Sequence, residues 1–142
     1  MSFREKTLWV ALLSNIAVWG WYFSRVGALG GAGLPESAEP FLLGMIVPVI
    51  IAITVIHVAA ISVIAILEPR EADAPLDERE RAIKHRATAS AYEILSVGLV
   101  LIIGGSLFFW NTYLVVNAIL LLFIVAESIR YGMEILALRR GY

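Results

Sequence analysis

The sequence predicts an all-α integral membrane protein: a four-helix bundle with both termini in the cytoplasm and its third helix extended beyond the bilayer. Three observations carry that prediction. Sixty per cent of the residues are hydrophobic and only 16% are charged, against roughly 25% charged in soluble domains. The apolar residues gather in four runs, and the basic residues gather on one side of those runs. A mean hydropathy of +0.83 agrees with this class, and 142 residues suit a single transmembrane domain. The net charge of −1 carries little information, because the charges are segregated along the chain. The absence of cysteine excludes disulfides, iron–sulfur clusters, thiol catalysis and Cys-type zinc sites.

The four runs are residues 8–23, 41–67, 89–110 and 113–138. Each is near the roughly 20 residues that cross about 30 Å of hydrocarbon. Backbone exposed to lipid must satisfy its own hydrogen bonds, so each run is expected to be helical. The first follows Arg4 and Lys6, and Ala28-Leu29-Gly30 would suit a signal-peptide cleavage site. Trp19, Trp21, Tyr22 and Phe23 instead read as an aromatic belt where a retained anchor leaves the bilayer.

Orientation follows from lysine and arginine. Arg4 and Lys6 precede the first run, and Arg139 and Arg140 follow the last. Arg70, Arg79, Arg81, Lys84 and Arg86 lie between the second and third runs. The other two connections hold Arg25 and no basic residue at all, respectively. The positive-inside rule therefore places both termini and the loop 68–88 in the cytoplasm.

Residues 24–40, rich in Gly, Ala and Pro, are expected to form an external loop, with Pro40 leading into the second helix. Its Glu36 and Glu39 read as solvated loop carboxylates. Pro48 cannot donate to the Gly44 carbonyl, so a bend is expected there. Gly44, Pro48 and Ala52 form a stripe of the kind that lets membrane helices approach closely. The cytoplasmic loop is irregular through Glu68-Pro69 and Ala74-Pro75. Asp77 with Glu80 then reads as an acidic capping box, followed by an i,i+4 pair of Glu80 with Lys84. One helix is expected over 77–110, its first three turns projecting into the cytoplasm. Ala87, Ala91, Gly98 and Gly105 supply a second small-residue stripe. Asn111-Thr112 is short enough to force an antiparallel hairpin.

Ionisable groups inside a membrane helix are costly and therefore candidates for function. Asn15, His57, Glu93, Glu127 and Arg130 form the candidate intramembrane cluster, with His57 and Glu127 expected near one depth. Glu127, Arg130 and Glu134 share a helix face at i, i+3 and i+7, which lets one arginine neutralise two carboxylates. The competing reading makes that ladder an anchor in the inner leaflet, and His57 a neutral imidazole donating to a neighbouring helix carbonyl. No phosphate loop, zinc helix or nucleophile elbow is present. With His57 in a span and His85 in the projecting segment, a bis-histidine haem within one chain is not expected. Neither a metal nor another cofactor is expected. Basic and acidic residues alternate in the loop, which gives nucleic acid or anionic lipid little net attraction.

The run Asp77-Glu78-Arg79-Glu80-Arg81-Ala82-Ile83, continuing through His85-Arg86-Ala87 to Ala91-Tyr92, resembles a family of small prokaryotic four-span membrane proteins of unknown function. In that family a DER(D/E)xxI segment precedes the third span. The resemblance covers about 20 residues and the four-span layout, and it implies a bacterial or archaeal plasma membrane. It carries no activity and no catalytic residue.

The expected function is that of a non-enzymatic accessory, regulatory or immunity-type partner of other membrane or cytoplasmic proteins. Asp77, Glu78, Arg81, Lys84 and His85 are the expected contact surface. The alternative is a homo-oligomeric transporter or channel subunit lined by the intramembrane His/Glu/Arg cluster. Besides the bilayer, a protein partner or further copies of the chain are the expected associates.

Overall fold

The computed structural model describes residues 2–30, 38–72, 74–108 and 110–140. Among them every regular element is an α-helix: α1 (Phe3–Gly30), α2 (Ala38–Leu67), the single turn α3 (Pro69–Ala72), α4 (Glu78–Phe108) and α5 (Thr112–Arg140). The long helices have 28 to 31 residues. At 1.5 Å per residue they measure about 42–46 Å, more than the roughly 30 Å of bilayer hydrocarbon. Three stretches are long and apolar enough to cross a membrane: Gly44–Leu67, Glu78–Phe108 and Thr112–Arg140. Helix α1 is not among them, because Ser14, Asn15 and several Trp and Tyr residues dilute its apolar run.

Contacts run in the order α2–α1–α5–α4, each helix antiparallel to its neighbour. A bundle closed on itself would also join α2 to α4, but those two have at most marginal backbone contact. The inner pair α1 and α5 builds the core with one face of α2: Trp19, Tyr22 and Val26, Val49, and Tyr113 and Ile124. Trp19 and Tyr22 meet edge to face at 5.5 Å, and Tyr22 meets Phe23 likewise at 5.1 Å. This corrects the expected aromatic belt. Trp19 and Tyr22 point inward, Tyr22 completely buried, and only Trp21 stays outside, beneath the Arg25 guanidinium.

The boundaries bring two more corrections. Residues 24–30, expected as loop, continue α1, held by buried Val26, whose carbonyl accepts from Tyr113 Oη at 3.4 Å. Helix α2 is already formed at Ala38, and residues 31–37 of the expected loop, Glu36 among them, lie outside the described ones. Helix α4 stops at Phe108 rather than 110, since Asn111 caps the next helix: Leu114 N donates to its Oδ1 at 2.9 Å.

Of the two small-residue stripes, only one is a seam. Ala87 and Ala91 are buried, and α5 crosses so closely that a Cβ on Gly98 would collide with the Leu122 side chain. Gly105 is less tightly placed and faces the Trp110 ring, 3.0 Å from where a Cβ would stand. Gly44, Pro48 and Ala52 are exposed instead. Helix α2 runs unbroken through Pro48, and Pro48 and Ala52 edge an open apolar groove of about 400 Å³ shared with Trp21.

The capping box forms as the sequence predicts. Glu80 N donates to Asp77 Oδ1 at 2.6 Å, and Asp77 N donates back to Glu80 Oε2 at 3.1 Å. Replacing Asp77 with alanine should cost about 1 kcal/mol of stability and speed amide exchange in the first turn of α4. Asparagine should keep most of it, and equal losses for the two would contradict the cap. The first turns of α4 do not project alone. Ala87 is 2% exposed, and Ile83 and Lys84 flank one cavity with Leu138 near the end of α5.

Candidate functional site

Charge gathers at one end of the molecule, where the start of α1, the end of α2, α3, the start of α4 and the end of α5 meet. Four consecutive residues of α1 each bind a different element. Phe3 N donates to Glu71 Oε2 at 2.8 Å in α3, and Lys6 pairs with Glu68 after α2. Arg4 pairs with Glu80 of α4 and donates to the Ala74 carbonyl at 3.1 Å. Arg139 of α5 donates to Glu5 at 2.6 Å while its guanidinium lies over Trp9. That hydrogen bond holds the Glu5 carboxyl below its ordinary pKa. The pairing of Glu80 with Arg4 replaces the expected pair with Lys84. Both termini and the loop therefore lie at one end of the fold.

Behind this strap a cavity of about 230 Å³ opens between α1, α4 and α5. Its charged lining is Arg4, Glu80, Lys84, Arg130 and Glu134. Arg130 donates to Glu127 at 2.6 Å and to Glu134 at 2.9 Å, so the ladder read from the sequence forms along α5. Glu134, only 7% exposed, is the most deeply covered carboxylate of the ladder. Arg4 pairs with Glu80 and Arg130 with Glu134, and Thr7 and Lys84 complete the polar lining. Among the described residues no three His, Asp or Glu side chains gather as metal ligands.

The structure distributes the candidate intramembrane residues over four separate positions. Asn15, on α1, is buried against α5 and donates to Ser128 Oγ at 3.0 Å and to the Ile124 carbonyl at 3.4 Å. His57, on α2, meets Ser14 Oγ at 2.9 Å across the other side of α1. Ser14 Oγ also lies 2.6 Å from the Val10 carbonyl and 3.2 Å from that of Ala11. The described partner of His57 is therefore a hydroxyl, not the carbonyl that the sequence suggested. Glu127 and Arg130 bond to each other, and Glu93 is exposed on α4 with no described partner.

Depth is nonetheless shared. The register that opposes Gly98 to Leu122 and Ala87 to Met133 brings Glu93 level with Glu127. Asn15 and Ser14 then bring Ser128 and His57 to nearly the same level. The five polar residues form a belt across four helices, not a cluster. Their substitutions should behave accordingly. His57→Phe and Glu127→Gln should destabilise additively, within about 0.5 kcal/mol. His57→Phe and Ser14→Ala should couple by about 0.6 kcal/mol. Unfolding in bicelles measures both, and coupling in the first pair would contradict this geometry.

Nearer the opposite end, a second polar bridge joins α1 to α5. Tyr22 Oη donates to Asn117 Oδ1 at 3.0 Å, and Asn117 Nδ2 donates to the Tyr113 carbonyl at 2.8 Å. Asn117 and the 3–6 strap join the residues that the sequence singles out. The signal available for the strap was the alternation Arg4-Glu5-Lys6 facing complementary charges at Glu68, Glu80 and Arg139.

Of the expected contact surface, Asp77 is spent on the cap and Lys84 flanks the cavity that holds Glu134. Glu78, Arg81 and His85 remain exposed at i, i+3 and i+7 on one stripe, which continues to Tyr92 at 69% exposure. This stripe lies about a third of a turn round α4 from the Ala87, Ala91 and Gly98 face that packs on α5.

The fold and site define a helical protein with three membrane-capable helices and a network of ion pairs at one end. Comparison with protein-family models, curated proteins and solved structures gives no match for this chain.

Proposed function

We propose that this chain is a prokaryotic plasma-membrane protein of four spans, with both termini and the loop 68–88 cytoplasmic. It acts without chemistry of its own, as an accessory or regulatory partner of another membrane protein. The observation that carries this reading is the outward stripe of α4. Glu78, Arg81 and His85 lead into Tyr92 with no described residue covering them. The internal polar groups support it too, since they are bonded to one another rather than ranged along a path. Helix α1 serves as an inner span whose polar side chains face α2 and α5. The DER(D/E)xxI resemblance and the one-sided lysines and arginines support the membrane and the orientation.

A photoreactive residue in place of Arg81 or Tyr92, activated in native membranes, tests the reading. A single stoichiometric foreign polypeptide should be trapped, and Glu78→Lys should reduce the yield from Tyr92. Adducts only between copies of the chain would overturn it. They would favour the second reading, a homo-oligomeric transport subunit, which has one observation in its support: the charged cavity reaches Arg130 and Glu134 from the end where the ion pairs gather.

A further inference from the structure

The charges of the loop alternate in sequence but not in space. Glu80 turns toward Arg4, on the side of α4 that faces α1. Arg79 and Arg86 fall on another side, at i and i+7, about 10 Å apart along the axis. Between them a second cavity, of about 220 Å³, opens in the α4–α5 seam with no α1 residue in its lining. Its floor is Ile83 and Ala87 from α4 and Met133 and Ala137 from α5, with Arg79 and Arg86 on its rim. Both arginines are exposed, and among the described residues no carboxylate lines the cavity. Arg140 follows Met133 by seven residues, so it shares the same face of α5, at the level of Arg79. Glu78 lies about a quarter-turn round α4, and Glu93 two turns deeper.

We infer that this cavity is a binding site for the phosphate and glycerol of an anionic glycerophospholipid of the cytoplasmic leaflet. The inference rests on the membrane reading above and concerns a different face from the partner stripe. Cations rim an apolar floor where the charged end of the fold gives way to its apolar length. The occupant must therefore carry negative charge and apolar mass together. A basic pocket between membrane helices on the cytoplasmic side has the chemistry of a lipid headgroup site. The volume is below the roughly 300 Å³ at which pockets begin to enclose whole ligands, so the acyl chains stay in the bilayer. Each arginine has five N–H donors, so the internal contact that Arg79 makes still leaves donors for a phosphate.

The test uses the full chain purified in mild detergent and then placed in bicelles. Lipid binding is read by native mass spectrometry with added phosphatidylglycerol, phosphatidylcholine or soluble glycerol 3-phosphate. Phosphatidylglycerol should bind at least tenfold more tightly than phosphatidylcholine, and glycerol 3-phosphate should not displace it. Arg79→Gln with Arg86→Gln should abolish the preference. Arg70→Gln with Arg25→Gln, which removes the same charge elsewhere, should keep it. Equal binding of phosphatidylcholine, displacement by glycerol 3-phosphate, or equal loss in the control pair would each overturn the site. A chain that fails to insert in bicelles would defeat the membrane reading instead, and an inserted chain without preference would defeat only the lipid site.

Discussion

Replacing Arg130 with methionine should destabilise the fold by about 3–5 kcal/mol, because it leaves two carboxylates without their shared cation. Glu127 and Glu134 both accept from Arg130, and Glu134 is 7% exposed. Neither carboxylate has another cation bonded to it among the described residues. The cost is chiefly that of stranded charge, so it should be recoverable. Adding Glu127→Gln and Glu134→Gln to Arg130→Met should restore most of the lost stability, since three neutral groups need no cation. Lysine at 130 should fall between, because it keeps the charge but loses the fork that reaches both partners. Reversible unfolding in bicelles measures all of these variants. A triple variant no more stable than Arg130→Met alone would mean that the ladder holds the helix through packing and not through charge.

The second large effect is expected at Gly98. A Cβ there would overlap the Leu122 side chain, so isoleucine must push α4 away from α5 or force Leu122 out of its rotamer. Overpacking of this kind costs about 1–3 kcal/mol. Alanine should cost less, because the flexible end of Leu122 can yield. Leu122→Ala should relieve the isoleucine variant, which separates a steric cost from a loss of helix propensity. Gly104, which has open space where its Cβ would stand, is the internal control: isoleucine there should be nearly neutral.

Much of this fold is legible in local sequence, and the legible parts share a physical cause. The capping box at Asp77 and Glu80, the tight connection at Asn111 and the α4 stripe of Ala87, Ala91 and Gly98 depend on neighbours within a few residues or on one helix face. Hydropathy likewise finds α2, α4 and α5, since these long helices carry continuous apolar runs. Pairings between distant residues are not legible in this way. Asn15 meets Ser128 and Tyr22 meets Asn117 only because α1 lies between α2 and α5. Nothing in the first helix alone announces that order. The same fact misdirected the reading of Trp19 and Tyr22, since an aromatic residue at a membrane exit and one in a helix seam look alike in sequence. Local composition also hid the extension of α1 through 24–30, where burial of Val26 outweighs two glycines.

For the candidate site, the Glu127–Arg130–Glu134 ladder was legible because it lies within one helix. The 3–6 strap was not, because each of its partners comes from a different element. The belt containing Asn15, His57, Glu93 and Glu127 was legible in depth and not in direction. Helical rise gives how far a residue lies along an axis, whereas its neighbours depend on how the helix is rotated.

The central claim is that α1 crosses the membrane as an inner helix, which places Ser2, the loop and the end of α5 on one side. The chain holds no cysteine, so single cysteines report without background. Ser2→Cys, Ala74→Cys, Arg140→Cys and Asn111→Cys would be treated with an impermeant maleimide in spheroplasts and in inverted vesicles. The account predicts that the first three label only in inverted vesicles and Asn111→Cys only in spheroplasts. Labelling of Ser2→Cys from the face opposite to Ala74→Cys and Arg140→Cys would mean that only three helices cross, and would contradict it.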